Sequence, residues 1–500
     1  MANWIKGQAL GMANRRSLKS DVSFLEKISV GAVGTQRVSE DLKSQGHNPI
    51  ELERGSMSFK IWKEIKIKRI RVPDILCISC STRIESRAKT SFEISMSHST
   101  SDPERGWDFG LADNDVVALV VCRRIGDRPI DWHSQDPVQY VSVHDLRSAE
   151  TDSRAIFMRP KGPEEGFEAR ITWPAAIASS EGKVVSVTND VVQYRRQTDN
   201  RMITLRLLKQ GRVLEPLVKV GDAVAQNQVV AAVLPVWKRF PCPHSVTYKH
   251  YLSWLSSPAL SDRYGASKAL ASFARPDVYE SLRARVDDRA EHIYVRLEAA
   301  AGLARHGGEE GWSFVRQCLD DPYLQNRLEA VIVLAEIPGP RSCELLSLVL
   351  MDDRQHAEIR AGAAWGLGEL QDKVALGNLI DAFSGVEQAI RVEAARALAK
   401  LAPTVTPEIL SRFRKLPPDK RPGIAWALSK SGSFSIGDML ESLIDDDARH
   451  WVAYVLGTRE PRRYVDGIER LKEQDPEVYF AVTVLWKILT SWVYGLEEYG

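Results

Sequence analysis

Two acids and two cations stand at spacings that chemistry uses. Asp74 follows Pro73 at the head of an apolar segment, and Glu85 lies in the run Arg83-Ile84-Glu85-Ser86-Arg87-Ala88-Lys89. With a tight turn between the two segments, the carboxylates sit side by side at one edge of a small sheet. Strand side chains alternate faces, so Glu85, Arg87 and Lys89 point the same way. Two carboxylates beside a cation form a site for Mg²⁺ and a water. The metal lowers the water's pKa and neutralises charge on a phosphodiester, and the cation orients the water or steadies the developing anion. On this reading Asp74 and Glu85 are the metal ligands, and Lys89 or Arg87 is the cation. The competing reading is a strand start at Pro73-Asp74 followed by a solvated strand face.

The elements that would position these residues can be read along the chain. Residues 1–32 are polar, basic and weakly patterned, a tail or loose cap. Residues 33–44 have a helical pattern, closed by Gly46 just past it. NPIELER, PDILCIS, TRIESRAKT and FEISMS read as strands, and Asp115–Cys122 is a continuous apolar run that suits a strand covered on both faces. Together these make a mixed α/β domain over residues 33–150. Lys60, Lys63, Lys66, Lys68, Arg69 and Arg71 precede the acids directly, in a segment whose alternation suits a strand with one basic face. Such a face would follow a nucleic-acid backbone, or would keep an exposed strand from aggregating.

The order of helix, Pro-Asp at a strand start, acid in the next strand and later buried strand resembles the PD-(D/E)XK nuclease superfamily, over roughly residues 33–125. The resemblance implies a Mg²⁺-dependent cut in DNA, with Glu40, on the first helix, as an auxiliary ligand or base. One position departs from the family: its acid-x-Lys tripeptide would end at residue 87, which is Arg here. An arginine cannot give up a proton, so a descendant that binds nucleic acid without cutting it also fits.

Residues 165–240 are β-branched segments punctuated by Gly, Asn and Asp, an all-β pattern. The stretch VKVGDAVAQNQVVAAV resembles the hairpin of biotinyl/lipoyl-like barrel-sandwich domains, without the modified lysine. From 245 to 500 the pattern is helical and repetitive. Arginines at 263, 296, 327, 360, 391, 421 and 449 recur at steps of 33, 31, 33, 31, 30 and 28 residues. Each stands beside an Ala-, Gly- and Leu-rich helix, as in RLEAAAGLARHG and IRVEAARALAKL. Units that cannot bury their own apolar faces stack, and this resembles the short HEAT-like repeats also found in phycobilisome-lyase-type proteins. The resemblance implies a scaffold or binder. The repeated arginine reads as a ladder of inter-repeat hydrogen bonds.

Composition narrows the rest. Apolar residues are 44%, charged residues 27% and the net charge is +1, which gives no global pull toward nucleic acid or membrane. The first residues lack the apolar core of a secretory signal, and the six cysteines are too scattered for a disulfide framework, so a reducing cytoplasm is the expected address. Cys77-x-x-Cys80 and Cys242-Pro-His244 carry zinc-type spacings, but they are far apart in sequence and Cys77 falls inside a predicted strand. The sequence therefore argues against zinc. The expectation is a multidomain chain: an α/β nuclease-like domain, a β-rich barrel-sandwich-like middle and an all-α HEAT-like solenoid. Its leading function is metal-dependent cleavage or binding of DNA, by analogy of architecture in restriction or defence, with the solenoid holding substrate or a protein partner. The alternative is a non-enzymatic scaffold that docks other proteins.

Overall fold

A computed structural model describes residues 21–53, 65, 70–99, 102, 104, 106–126, 131–158, 169–243, 245–431, 433–459, 461–464 and 467–497. The chain forms two compact units, one of residues 1–61 and 69–273, the other of 62–68 and 274–500. The first is β-rich and the second is a helical repeat.

In the first unit, helix α1 (Asp21–Ser44) precedes strands β1 (Pro49–Glu51), β2 (Ile75–Cys77), β3 (Arg83–Lys89), β4 (Ile94–His98), β5 (Val116–Arg124) and β6 (Trp132–Ser142). The helix begins within the expected tail, twelve residues ahead of position 33. A five-stranded sheet runs β1-β2-β3-β5-β6, with β3 and β5 parallel and the other neighbours antiparallel. The apolar run of β5 lies inside the sheet and is covered on both faces, as its sequence requires. Val116, Ala118 and Val120 pack with Val38 and Leu42 of α1. Val117 and Leu119 join a second core with Trp173, Val184, Tyr194 and Val230. Helix and sheet approach closely at Gly34, where a Cβ would stand 2.3 Å from the Cβ of Ala88.

Helix α2 (Val143–Thr151) follows, then strands from β7 (Ile156–Met158) and β8 (Ala169–Trp173) onward. β4 leaves the first sheet to pair with β8, in the order β4-β8-β7. The chain continues through β9 (Ala175–Ile177), β10 (Gly182–Val187), β11 (Val191–Arg196), β12 (Met202–Arg206), β13 (Leu208–Lys209), β14 (Arg212–Val213), β15 (Glu215–Pro216), β16 (Ala223–Val224) and β17 (Val229–Ala232). These make sheets β12-β11-β10-β16 and β15-β17-β9 and the pair β13-β14. The α/β region and the β-rich region therefore share an apolar core, because β4 and the outer face of β5 turn toward the later strands. Helices α3 (Tyr248–Trp254) and α4 (Leu260–Leu270) complete this unit.

The second unit stacks antiparallel helix pairs: α5 (Pro276–Asp287) with α6 (Ile293–Arg305), α7 (Glu309–Leu319) with α8 (Leu324–Glu336), and α9 (Pro340–Met351) with α10 (Ala357–Leu370). It continues through α11 (Leu376–Asp381), α12 (Gln388–Lys415), α13 (Arg421–Lys430), α14 (Ile436–Leu440), α15 (Asp446–Gly457), α16 (Ile468–Gln474) and α17 (Pro476–Glu497). The second helix of each early pair is buried on nearly every side: residues 328–335 of α8 are all buried. This is why those helices are built of small and aliphatic residues. Among the described residues no helix is long and apolar enough to cross a membrane.

Candidate functional site

The antiparallel register Ile75↔Ile84 sets Asp74 level with Glu85. Ile75 and Ile84 pack under α1, so alternation sends both acids to the opposite face of the sheet. Asp74 is almost buried, and its Oδ2 accepts the Ser86 N–H at 2.7 Å. Glu53 joins them: its backbone N–H donates to the Asp74 carbonyl at 3.3 Å, and its side chain hydrogen-bonds the Asp74 carboxyl. Burial, then the charges of Glu85 and Glu53, hold the Asp74 carboxyl well above the usual range, against the Ser86 N–H. Burial also raises Glu85, while Arg87 and Arg71 draw it down. Carboxylates crowded in this way favour a shared proton or a bound cation.

The expected cations divide. Arg87 Nη2 lies 2.9 Å from Glu85 Oε1, so this guanidinium occupies the place beside the acids. Lys89 is on the same strand face, but its ammonium is held by the carbonyl and hydroxyl of Ser95, each at 2.6 Å, and by Glu93 at 3.4 Å. Burial pushes the Lys89 pKa down to about 8, with Glu93 opposing. The assignment of Lys89 as the attacking-water cation is therefore corrected: its donors are engaged one step along the strand. Glu40 is corrected as well. It is exposed on α1, which covers the other face of the sheet, so the sheet itself separates it from Asp74 and Glu85. Arg71 is exposed and acts electrostatically on Glu85. Lys60, Lys63, Lys66, Lys68 and Arg69 lie outside the described residues.

Ionising Asp74 works against the fold, which yields a test. A carboxyl raised in the folded state makes the folded form bind more protons than the unfolded one, so stability falls as pH climbs through that window. Asp74→Asn keeps an acceptor for the Ser86 N–H and removes the charge. It is expected to stabilise the first unit at pH 7 by the about 0.5–2 kcal/mol usual for relieving a strained site. The advantage should vanish below the ordinary aspartate value of about 3.9. Thermal melts of both proteins across pH check this, and an Asn variant less stable at pH 7 would contradict it.

In the second unit the repeated arginines serve mainly as fasteners. Arg296 and Arg360 each donate, at 2.9 Å, to a carbonyl at the end of the preceding helix, Val286 and Leu350. Arg327 bonds the Asp321 carbonyl and reaches Gln355 of the next unit at 3.1 Å. Arg421 clasps Asp445 and Asp447, and Arg449 clasps Asp475 and Glu477. The ladder is thus partly within a hairpin and partly between repeats. Arg391 differs. It is exposed, has no side-chain bond among the described residues, and lines a groove of about 380 Å³ with Phe383, Val392, Asp419 and Trp426. On the same solenoid, Ile65 is buried and its N–H donates to Glu358 Oε2 at 2.7 Å.

A sequence profile described as HEAT repeats matches residues 313–399. The C-terminal region carries HEAT repeats. The match does not touch residues 33–125, where the nuclease resemblance falls. Among solved structures, human deoxyhypusine hydroxylase in complex with glycerol is 22% identical, covers 37% of this chain and 73% of its own, and superposes with a TM-score of 0.20. The complex of CpcE and CpcF of phycocyanin lyase from Nostoc is 18% identical over 50% of this chain and 100% of that chain, with a TM-score of 0.25. The karyopherin Kap121p, bound to the extreme C-terminus of the protein phosphatase Cdc14p, is 12% identical over 45% of this chain and 28% of that chain, with a TM-score of 0.26. No curated protein sequence matches the chain.

Proposed function

We propose that this protein is a non-enzymatic HEAT-repeat scaffold that holds another protein on its helical stack. The observation that carries the reading is the groove at Arg391. Its neighbours in the series spend their guanidinium groups on closing hairpins or clasping the next repeat, whereas Arg391 presents its charge beside exposed apolar surface. Val392 is 46% exposed, and Trp426 offers a half-buried ring. A peptide with one apolar anchor and one acid fits that chemistry. The Ile65 N–H on Glu358 supports the reading, since the solenoid already takes a main-chain donor from another stretch of the chain.

Arg391→Glu combined with Trp426→Ala is expected to lower partner affinity at least tenfold, the scale of removing one aromatic anchor and reversing one charge. The check is affinity capture with parent and variant as paired baits, followed by direct binding of each captured protein. Identical capture by both baits would end the proposal for this groove.

A second reading rests on Asp74, Glu53 and Glu85: a metal-dependent nuclease, or a nucleic-acid binder descended from one. The raised Asp74 carboxyl beside Glu85 and the guanidinium of Arg87 support it. Plasmid DNA incubated with Mg²⁺ or Mn²⁺ separates the readings, with Asp74→Ala/Glu85→Ala as the comparison. Cleavage by the parent alone favours the enzyme, a gel shift without cleavage favours the binder, and neither leaves the scaffold.

A further inference from the structure

We infer that His47, Cys77, Cys80 and Cys242 hold a structural zinc ion. Their ligand atoms all lie within 4.8 Å of one another, and Cys80 Sγ stands 3.6 Å from His47 Nδ1. Among the described residues no other group of three or more such side chains converges in this way. A tetrahedral zinc with bonds of about 2.3 Å to sulfur and about 2.0–2.1 Å to nitrogen needs its ligands about 3.5–3.8 Å apart. The Cys80–His47 pair is already at that spacing, and the remaining pairs lie within 4.8 Å, so closing on an ion takes shifts of about 1 Å or less. The remaining cysteines supply the contrast: Cys122, Cys318 and Cys343 are buried singly, as ordinary core thiols are.

Three separate segments deliver the ligands. α1 ends in a reversal at Gly46, φ 87°, where the His47 N–H donates back to Leu42 at 3.0 Å. Cys77 closes β2, and the turn to β3 is made by a Cys77–Ser81 bond of 2.8 Å with Ser81 in the left-handed region at φ 60°. That reversal brings the Cys80 and Cys77 thiols to the same side. Cys242 arrives from the connection after β17, where its N–H donates to the Gln45 carbonyl at 3.2 Å.

The surroundings prepare the ligands. His47 Nε2 is 2.6 Å from the Phe240 carbonyl, which accepts only, so this nitrogen carries the proton and leaves the Nδ1 lone pair facing the sulfurs. A carbonyl that accepts the N–H of the far ring nitrogen in this way orients metal-bound histidines generally. Phe240 also stacks on the imidazole at 5.1 Å, and the Asn48 N–H points to Cys77 Sγ at 3.4 Å. Three sulfurs and one nitrogen complete a tetrahedron and leave no open position, which marks the ion as structural. It would staple the β2–β3 turn to the connection that leads into α3. The same turn is gripped by the Val246 N–H on Ser79 at 2.6 Å and by Tyr251, whose hydroxyl donates to Ile78 at 2.7 Å.

The test is elemental analysis of the full chain purified without chelator from zinc-supplemented medium. One zinc per chain is expected, at least tenfold less for Cys80→Ser, and an unchanged content for Cys318→Ser as the control. Cobalt exchange keeps the inference testable if the Cys80 variant fails to fold. The parent should show the intense visible bands of tetrahedral cobalt, and half-exposed Cys242→Ser should lose about a third of the thiolate charge-transfer absorption. A folded parent free of metal that takes up no cobalt would overturn the site, as would a Cys77–Cys80 disulfide by mass spectrometry or an iron–sulfur chromophore.

Discussion

Replacing Arg83 with alanine is expected to cost the first unit about 3–5 kcal/mol, the scale of stranding a buried charge. Arg83 is 3% exposed and its guanidinium grips Asp115 through two bonds, of 2.8 and 2.9 Å. A third bond of 2.8 Å reaches Asp262 on α4. Asp115 is 1% exposed, and burial already raises its carboxyl while Arg83 draws it down. Without Arg83 that carboxylate keeps only the Ala112 N–H, at 2.7 Å, and must take a proton or admit water. The deficit should therefore shrink in acid, where Asp115 is neutral in both states. Arg83→Met/Asp115→Leu should recover most of the loss, because a well-packed apolar pair replaces a buried ion pair at little cost. Urea unfolding followed by tryptophan fluorescence measures all three proteins. A loss for Arg83→Ala below about 1 kcal/mol would show that water reaches Asp115 in the folded state.

Gly368→Leu should break the solenoid's cooperativity. A Cβ at Gly368 would lie 2.8 Å from both Cα and Cβ of Ala397, so α10 and α12 meet backbone to backbone there. In an open helix, exchanging glycine for a larger residue gains up to about 1 kcal/mol. Here the sign reverses, because the added side chain must push α12 away, an overpacking cost of about 1–3 kcal/mol or more. Each repeat is stabilised by its neighbours, so a parting at this joint uncouples the units beyond it. Unfolding should broaden or split in two, and hydrogen exchange should quicken C-terminal to residue 376. Gly377→Ala, whose added Cβ would have only Arg412 Nη1 near it at 3.8 Å, is expected to melt as the parent does. A single sharp transition in Gly368→Leu would refute the wedge.

Much of this molecule is written in local periodicity. Repeats spaced 28–33 residues apart, each with a small-residue helix, determine a stack of helical hairpins, because no single hairpin can cover its own apolar face. Alternation determines that Glu85, Arg87 and Lys89 share a strand face, and the unbroken apolar run determines that β5 is covered on both sides. Both patterns need only the geometry of the element itself. What an element packs against is another matter. Glu40 reads as a partner for the acids until α1 settles on the opposite face of the sheet. Lys89 reads as a free cation until β4 supplies Ser95. Cys77, Cys80 and Cys242 carry a recognisable spacing, but the fourth member, His47, has no motif at all, and His244 lies outside the described residues. Its place was decided by the turn that ends α1 and by a connection arriving from beyond residue 237, contacts between segments nearly two hundred positions apart. Spacing along a chain encodes the face a side chain occupies. Only the packed fold brings distant faces together, and that is where acids are separated, a lysine is captured and four ligands converge.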